Sequence, residues 1–356
     1  MVGRERELEL LLDCLATARV VTLVGPGGVG KTRLALEVAH RIVEQGRQVF
    51  WVDLTVVTPD RLVDALAEGT GVVMPRTADP AGELGASLCG TSALLCLDNA
   101  ETVVADLATV VEAVADAAPH LVILATSRER LEVVDEHVHQ LAPLPLPAGP
   151  DRNNPAIRLF LQRAHGLDAS PSDDDVAAIA ELCRPLDGLP LAIELGAARA
   201  PTFGIREFAT QIAGELDLLA GGRRTAAARH RTLTAVIDAS YRLLTPDEAL
   251  LFERLTVFPG PFRLAQARAV CADDTLPGAA VGPALARLVE QSLVQAVTGR
   301  FHLLQTLRTY AARRLDEPTR LRLRPCTPAT SRTASPSWAG RPGRSRNRTV
   351  SPRCRP

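Results

Sequence analysis

The chain has 356 residues, of which 46% are apolar, so it is long enough for two or three domains with mainly aliphatic cores. Its formal net charge of −1 is unevenly distributed, since residues 318–356 contain ten arginines and no acidic residue. The first 317 residues therefore carry 30 basic and 41 acidic groups, and such an acidic body is not typical of a nucleic-acid-binding surface.

Seven cysteines are scattered along the chain without a C-x-x-C pair, which is typical of reduced thiols in a cytoplasmic protein. The N-terminus is charged from its first residues, so we expect no signal peptide. No uninterrupted apolar run approaches the roughly eighteen residues that a membrane span needs. The sequence thus predicts a cytoplasmic protein without membrane contact.

Short apolar runs alternate with helical patterns through the first 150 residues. The predicted strands are 20–24, 49–52, 94–97 and 121–124, with an edge strand at 139–141, and the predicted helices are 3–18, 32–44, 61–69 and 103–117. Continuous apolar strands alternating with helices predict a parallel sheet that is covered on both faces. Four prolines between positions 143 and 150 then indicate a domain boundary.

A glycine-rich segment follows the first predicted strand and opens the next helix. Residues 25–32 read Gly-Pro-Gly-Gly-Val-Gly-Lys-Thr, which matches the phosphate loop G-x-x-x-x-G-K-T, whose backbone N–H groups and helix N-terminus face phosphates. Lys31 is the only lysine beside 39 arginines, and a compact ammonium can reach between the β- and γ-phosphates where a planar guanidinium fits poorly. The predicted nucleotide contacts in this segment are Gly25, Gly27, Gly28, Val29, Gly30, Lys31, Thr32 and Arg33.

The third predicted strand ends in an acid, Asp98, at the tip where ligands bind in open α/β sheets. Thr32 and Asp98 are the predicted Mg²⁺ ligands. The next residue is Asn99, where many fast NTPases place a second acid that activates water, and an amide is a poor base. We therefore expect slow hydrolysis. Glu101 is either a substitute base or an ordinary surface glutamate.

Three further residues are candidates for contacts with the nucleotide. Arg128 ends the fourth predicted strand, where it either senses a γ-phosphate or is a plain surface arginine; with Lys31 and Asp98 it completes the predicted catalytic set. Pro190 interrupts a helical pattern, which costs about 3 kcal/mol unless the break is needed. It is expected either to contact the base and ribose or to form a simple kink. Arg4 is a candidate for the base end of the site.

From residue 155 onward the pattern is helical. Predicted helices cover 155–165, 173–200 with a break at Gly188-Leu189-Pro190, then 232–243, 246–256, 263–271, 283–292 and 305–316, with a seam at Gly221-Gly222. Residues 293–297 and 300–304 flank Thr298-Gly299 and predict a β-hairpin. Three helices followed by a hairpin are typical of a winged helix.

The predicted fold class is α/β, a P-loop NTPase parallel sheet followed by an all-helical domain and a winged-helix domain. The predicted boundaries are 1–150 for the NTPase, 151–222 for the helical domain, 223–317 for the winged helix and 318–356 for a disordered tail rich in Arg, Pro, Ser and Thr. The helical pattern ends abruptly at this tail, so a frame-shifted or truncated reading frame is an open alternative.

These motifs together resemble the STAND class of signal-transduction NTPases of the NB-ARC type, and are most similar to bacterial transcriptional regulators of the AfsR/SARP and large LuxR groups. The resembling segments are 2–8, the phosphate loop, 97–99, 126–128, 188–195, 229–233 and 301–308. The resemblance covers about residues 1–317. It implies bound ATP or ADP with Mg²⁺, an ADP-bound closed form, and an ATP-bound form that assembles or signals.

Two features depart from that family. Many members carry Met-His-Asp in the winged helix, whose histidine touches ADP, whereas this chain has Leu303-Leu304-Gln305. The nearby His302 is interpreted as structural or solvated. Family members usually also have a DNA-binding domain and a C-terminal repeat array, which we do not find here.

The sequence therefore predicts an adenine-nucleotide switch with slow ATP hydrolysis, the regulatory NTPase part of a transcriptional regulator. Self-association or a partner protein is expected in the ATP state. Direct DNA binding is not expected, because the third winged-helix helix offers Arg287 but also Glu290 and few other polar groups. The alternatives are a P-loop kinase of a small molecule and an ADP-locked interaction module that does not cycle.

Overall fold

A parallel sheet forms the centre of the N-terminal half. The computed structural model describes residues 1–75, 77–164, 171–212, 219 and 232–323, and within them this sheet has five strands. They are β1 (Val20–Val24), β2 (Gln48–Asp53), β3 (Ala93–Asp98), β4 (Val122–Ser127) and β5 (Glu136–Gln140). The order is β2-β3-β4-β1-β5, and each neighbouring pair is parallel. The predicted parallel sheet and the predicted edge strand are therefore confirmed.

Five helices cover the two faces of this sheet in the described N-terminal part. They are α1 (Glu5–Thr17), α2 (Lys31–Glu44), α3 (Leu62–Thr70), α4 (Pro80–Leu88) and α5 (Val104–Ala117). Consecutive residues of a strand point to opposite faces. Accordingly Leu94 packs with α1 and α2, whereas Leu95 belongs to a second core with α3, α4 and α5. Each fully buried leucine of this kind contributes about 1.5–3 kcal/mol.

Helix α4 has no counterpart in the predicted elements. Its sequence contains Gly82 and Gly85, and glycine in a helix interior is unfavourable by about 1 kcal/mol. Gly85 lies so close to α5 that a Cβ there would come 2.7 Å from the Cβ of Ala117. Close packing against α5 therefore favours glycine at position 85, and this glycine weakens the helical pattern in the sequence of α4.

In its described residues, the C-terminal half is mainly helical up to residue 290. Its first helices are α6 (Pro155–Arg163), α7 (Asp173–Cys183), α8 (Pro190–Phe203), α9 (Ile205–Gln211) and α10 (Leu233–Tyr241). The predicted break falls between α7 and α8, where Asp187 and Gly188 both have positive φ. Pro190 occupies the first turn of α8, where a missing N–H disrupts no helical hydrogen bond.

Three helices and a hairpin follow, in the predicted order. They are α11 (Pro246–Arg254), α12 (Leu264–Cys271), α13 (Gly278–Glu290), β6 (Gln295–Val297) and β7 (Arg300–His302). Helix α13 begins before the predicted start because it continues through Pro283, where a helix is normally expected to stop. Thr298 and Gly299 have φ values of 49° and 75°, as a tight hairpin turn requires.

The described chain ends with α14 (Gln305–Ala312) and α15 (Glu317–Arg322). Helix α15 covers the first residues of the segment predicted as a disordered tail, and residues 324–356 lie outside the described residues. Gly221-Gly222 and residues 229–231 lie outside them as well. None of the described helices combines the length and the apolar character that crossing a membrane requires.

Candidate nucleotide-binding site

The phosphate loop connects the carboxyl end of β1 to the first turn of α2. Gly30 precedes the helix with a φ of 101°, a conformation that side chains with a Cβ rarely adopt. At Gly25 a Cβ would come 2.6 Å from the carbonyl oxygen of Leu141, just after β5. The loop is therefore confined by the neighbouring backbone, and the glycine pattern follows from that confinement.

Lys31 folds over the loop that precedes it. Its Nζ donates hydrogen bonds to the carbonyl oxygens of Gly25 at 2.7 Å and Pro26 at 3.3 Å. Burial lowers the pKa of the ammonium to about 8, and the Arg128 charge acts in the same direction, while the Glu101 and Asp98 carboxylates oppose it. The lysine thus remains largely protonated near neutral pH and is held beside the place where phosphates bind in such loops.

Thr32 and Asp98 lie side by side, as predicted for a magnesium site. The Thr32 hydroxyl donates to Oδ1 of Asp98 at 2.8 Å, and the Thr126 hydroxyl donates to the same oxygen at 2.6 Å. Hydroxyl and carboxylate oxygens suit Mg²⁺, and two adjacent octahedral ligands about 2.1 Å from the ion are roughly 3 Å apart. The spacing of these two oxygens therefore fits a shared magnesium ion.

Asp98 is only 3% exposed. Burial raises the pKa of its carboxyl group, helped by the charges of Asp53 and Glu101 and opposed by the hydrogen bonds from Thr126 and Thr32. A bound divalent cation would favour the ionised form.

Asn99 follows Asp98 with a φ of 63° and orients its neighbours through its amide. Its Nδ2 donates to Oδ2 of Asp98 at 2.7 Å and to Oδ1 of Asp53 at 3.3 Å. An acid at this position would place a third carboxylate against those two. The amide therefore supports the buried carboxylate, and the usual position of a water-activating acid is taken by a hydrogen-bond donor.

Arg128 and Glu101 form a buried ion pair. The Arg128 Nε lies 3.3 Å from Oε1 of Glu101, and the side chains are 10% and 12% exposed. Neither is the surface residue that the sequence left open as an alternative. The other Glu101 oxygen, Oε2, is buried and has no hydrogen-bond partner among the described residues.

These groups border a cavity of about 410 Å³. Of the predicted site residues, it is lined by Gly27, Gly28, Gly30, Lys31, Thr32, Arg33, Arg128 and Pro190. Asn99 and Glu101 also line it, and so do Leu191, Glu194, Val236, Ala239 and Leu243 from the C-terminal half. Sequence patterns do not indicate that α10 borders the site, because its apolar residues follow the pattern of an ordinary core helix.

A second cavity of about 230 Å³ adjoins the first and shares Gly30, Arg33, Pro190 and Glu194 with it. Arg4 and Val29 line this second cavity. Arg4 is 5% exposed and donates to the carbonyl oxygen of Ala142 at 2.6 Å and to Glu7 at 2.7 Å. Arg4 and Pro190, the residues predicted for the base end, thus line the same cavity, whereas Gly25 and Asp98 line neither of these two cavities.

A parallel sheet with a phosphate loop, its lysine and a threonine–aspartate pair at the carboxyl ends of the strands defines a P-loop NTPase. Residues 1–193 match the family model of the AAA ATPase domain, and the chain belongs to that family.

The chain also has relatives among bacterial regulators. It is 37% identical to a Mycobacterium tuberculosis protein named as an HTH-type transcriptional regulator, over 85% of this chain and 34% of the relative. It is 30% identical to the regulatory protein AfsR of Streptomyces griseus, over 89% of this chain and 33% of that protein. The chain thus spans about a third of the length of these relatives. An uncharacterised M. tuberculosis protein is 33% identical over 89% of this chain and 81% of its own length.

The fold is shared with a solved ATPase structure. The Walker-type ATPase of Pyrococcus abyssi matches with a TM-score of 0.54 and 13% identity, over 87% of this chain and 96% of that one. A STAND protein with a tetratricopeptide repeat sensor from Pyrococcus horikoshii matches with a TM-score of 0.39 and 16% identity, over 90% of this chain and 44% of that chain.

Proposed function

We propose that this chain is a nucleotide-dependent regulatory switch, which binds ATP or ADP with Mg²⁺ and hydrolyses ATP slowly within a transcriptional regulator. One observation carries the proposal. The cavity at the phosphate loop is closed by side chains from both halves of the chain, including Lys31 on one side and Pro190, Val236 and Leu243 on the other. A nucleotide there would contact both halves at once, so its phosphate state could bias how they pack, which is what a switch needs.

The predicted residues take distinct roles in this proposal. Lys31 and the loop N–H groups hold the β- and γ-phosphates, and Arg128 contacts the γ-phosphate. Thr32 and Asp98 would hold Mg²⁺, which would neutralise phosphate charge. Arg33, Pro190 and Arg4 lie towards the ribose and adenine end, along the adjoining cavity.

Arg128 is also connected to the C-terminal half. The Ser292 hydroxyl donates to the Arg128 carbonyl oxygen at 2.9 Å, and Arg287 of α13 lies 2.9 Å from the carboxylate of Glu129. We call these two contacts the α13 clasp. A movement of Arg128 towards a γ-phosphate would disturb the clasp, so the nucleotide state could reach the C-terminal elements without a further ligand.

The energies involved are of the size that such a switch requires. Moving an equilibrium from 1:99 to 99:1 requires about 5.5 kcal/mol of differential binding. Charge-assisted hydrogen bonds contribute roughly 1.5–3 kcal/mol each. Two or three γ-phosphate contacts, from Lys31, Arg128 and Mg²⁺, approach the required difference between ATP and ADP.

The C-terminal elements take a regulatory role in the proposal. We assign α11, α12, α13 and the hairpin to a winged helix of the NB-ARC type that closes over the nucleotide. Leu303 and Leu304 are buried in the core and Gln305 begins α14, so in this assignment the two leucines provide apolar packing where many family members have a histidine latch. Direct DNA binding by α13 is not part of the proposal, because Arg287 is paired with Glu129 and Glu290.

Calorimetry and turnover measurements on the purified chain test the proposal. We expect uptake of ADP and Mg–ATP, turnover well below about one per second, and different hydrogen-exchange protection around Ser292 in the two nucleotide states. Self-association is expected with the non-hydrolysable ATP analogue and not with ADP. Folded protein that takes up no adenine nucleotide would refute the proposal, and rapid multiple turnover would refute the slow switch.

A further inference from the structure

The usual position of a water-activating acid, directly after Asp98, is occupied by Asn99. The Asn99 amide donates hydrogen bonds to both Asp98 and Asp53. It therefore has a structural role and cannot accept a proton from water. If the site hydrolyses ATP, another group must take the proton from the attacking water.

Few carboxylates are available for this task. Asp98 accepts hydrogen bonds from Thr32 and Thr126 and is assigned to Mg²⁺. Among the described residues that line the main cavity, the acids are Glu101 and Glu194. Glu194 pairs with Arg163 at 3.0 Å and also borders the adjoining cavity at the base end. Glu101 is therefore the acid that remains on the phosphate side.

Glu101 lines the cavity, where a general base is needed, and is paired with Arg128. It lies on the short helical turn Ala100–Thr102 just after β3, close enough to raise the pKa of Lys31 through its charge. One of its oxygens is restrained by Arg128 at 3.3 Å, while Oε2 is buried without a hydrogen-bond partner among the described residues. An unsatisfied buried carboxylate oxygen is costly, and active sites are where such groups persist.

We infer that Glu101 is the general base for ATP hydrolysis in this site and that Arg128 restrains it until a γ-phosphate draws Arg128 away. The inference rests on the proposed nucleotide function and adds the identity of the base and its control. One arginine then has two competing partners, the Glu101 carboxylate and the γ-phosphate.

Water, ATP and the Glu101 carboxylate supply all the atoms and electrons of the proposed step. The Glu101 carboxylate takes a proton from water as the water oxygen forms a bond to the γ-phosphorus. The bond between that phosphorus and the β–γ bridging oxygen breaks, and its electron pair stays on ADP. Glu101 then passes its proton to the phosphate product or to solvent, so the products are ADP, inorganic phosphate and one proton.

Hydrolysis by the full chain provides the first test. Glu101→Gln should lower the hydrolysis rate by about 100-fold or more while leaving ADP affinity within about threefold. Glu101→Asp, which keeps the charge on a shorter side chain, should retain part of the rate. Glu112→Gln, an exposed glutamate on α5, is the matched control and should hydrolyse ATP as the parent does. Thermal melting checks that each variant is folded.

A binding measurement tests the restraint by Arg128 without turnover. In Glu101→Gln, Arg128 loses its competing partner, so the preference for a non-hydrolysable ATP analogue over ADP should rise about fivefold. In an Arg128→Ala background the same change should have no effect on that preference. This double-mutant cycle separates a restraint from a general loss of structure.

The outcomes distinguish the inference from the proposed function. If the parent binds and hydrolyses ATP and both Glu101 variants do so equally well, the inference is overturned and the switch remains. A parent that binds ATP without hydrolysing it also overturns the inference and favours the ADP-locked module. No binding of adenine nucleotide by the folded parent overturns both.

Discussion

Asp187 accepts two hydrogen bonds from Thr306, one from its backbone N–H at 2.7 Å and one from its hydroxyl at 2.8 Å. A third comes from the backbone N–H of Gln305 at 2.8 Å. The carboxylate thus caps the first turn of α14 and interacts favourably with the helix dipole. Asp187 also lies three residues before Pro190, so this contact couples the cavity lining to the C-terminal helices.

We expect Asp187→Ala to lower the free energy of unfolding by about 3 kcal/mol, because it leaves donors of the α14 first turn without an acceptor. Asp187→Asn should lower it less, since an amide oxygen still accepts and asparagine tolerates the observed φ of 54°. Urea unfolding of the two variants measures the difference. Equal loss in both would mean that the capping contact is not what stabilises this region.

Lys31→Ala should weaken ATP and ADP binding by about 100-fold or more, because the loop loses its phosphate-binding cation. The control is Arg41→Ala, which removes an exposed cation from the same helix. Isothermal titration calorimetry gives both affinities, and thermal melting verifies folding. Retained tight binding in Lys31→Ala would refute the assignment of the site.

Asp98→Asn should remove most of the Mg²⁺ dependence of nucleotide binding, since an amide coordinates the ion more weakly than a carboxylate does. In the parent, chelation of Mg²⁺ should weaken ATP binding severalfold; in the variant it should change little. Asp106→Asn, on the exposed face of α5, should behave as the parent. Titration with ATP in the presence and absence of a chelator makes the comparison.

Gly188→Ala should be much more destabilising than Gly46→Ala, although both glycines have positive φ, of 66° and 77°. A Cβ on Gly188 would come 2.1 Å from the carbonyl oxygen of Leu144, whereas no atom of the described residues lies within 4 Å of the equivalent position at Gly46. We expect about 1–2 kcal/mol from backbone strain at Gly46 and at least twice that at Gly188. Similar melting temperatures for the two variants would contradict this.

Acid should weaken the fold through Asp273. Arg254 is 2% exposed and donates to both Asp273 oxygens at 2.9 Å. Together with Thr275, it holds the pKa of Asp273 well below its usual range. Because the folded pKa is lower than the unfolded one, this stabilisation is complete above the unfolded pKa of about 3.9 and is lost as the pH falls below it.

The variant Asp273→Asn isolates this contribution. It should lower the free energy of unfolding near neutral pH by about 2 kcal/mol, and its stability should fall less steeply as the medium becomes acidic. Urea unfolding at about pH 7 and about pH 3 provides the measurement. A parallel acid dependence in parent and variant would show that other groups dominate.

The sheet and the phosphate end of the site follow from local sequence. An apolar run before a glycine loop, or before Asp98, specifies both the strand and the place where the polar group emerges, since parallel strands end at one edge. The break before Pro190 is equally local. These features were predictable because each depends on neighbours in sequence.

Other parts of the site depend on tertiary packing. The Asp187–Thr306 cap and the Ser292–Arg128 contact of the α13 clasp join residues 119 and 164 positions apart. The position of α10 beside the cavity gives no periodic signal that distinguishes it from a core helix. The burial of Glu101 likewise depends on Arg128, which belongs to another strand end. Such contacts cannot be predicted from local sequence, because they depend on how the helices pack in three dimensions.

The solitary lysine has a practical consequence. Since no other residue of the chain carries a side-chain primary amine and the pKa of Lys31 is about 8, an amine-selective acylating reagent applied in mild alkali has one internal target besides the α-amino group. The extent of its modification, read by mass spectrometry, would report directly how much of the loop is occupied by phosphate. Lys31 can therefore serve as a chemical probe of ligand occupancy.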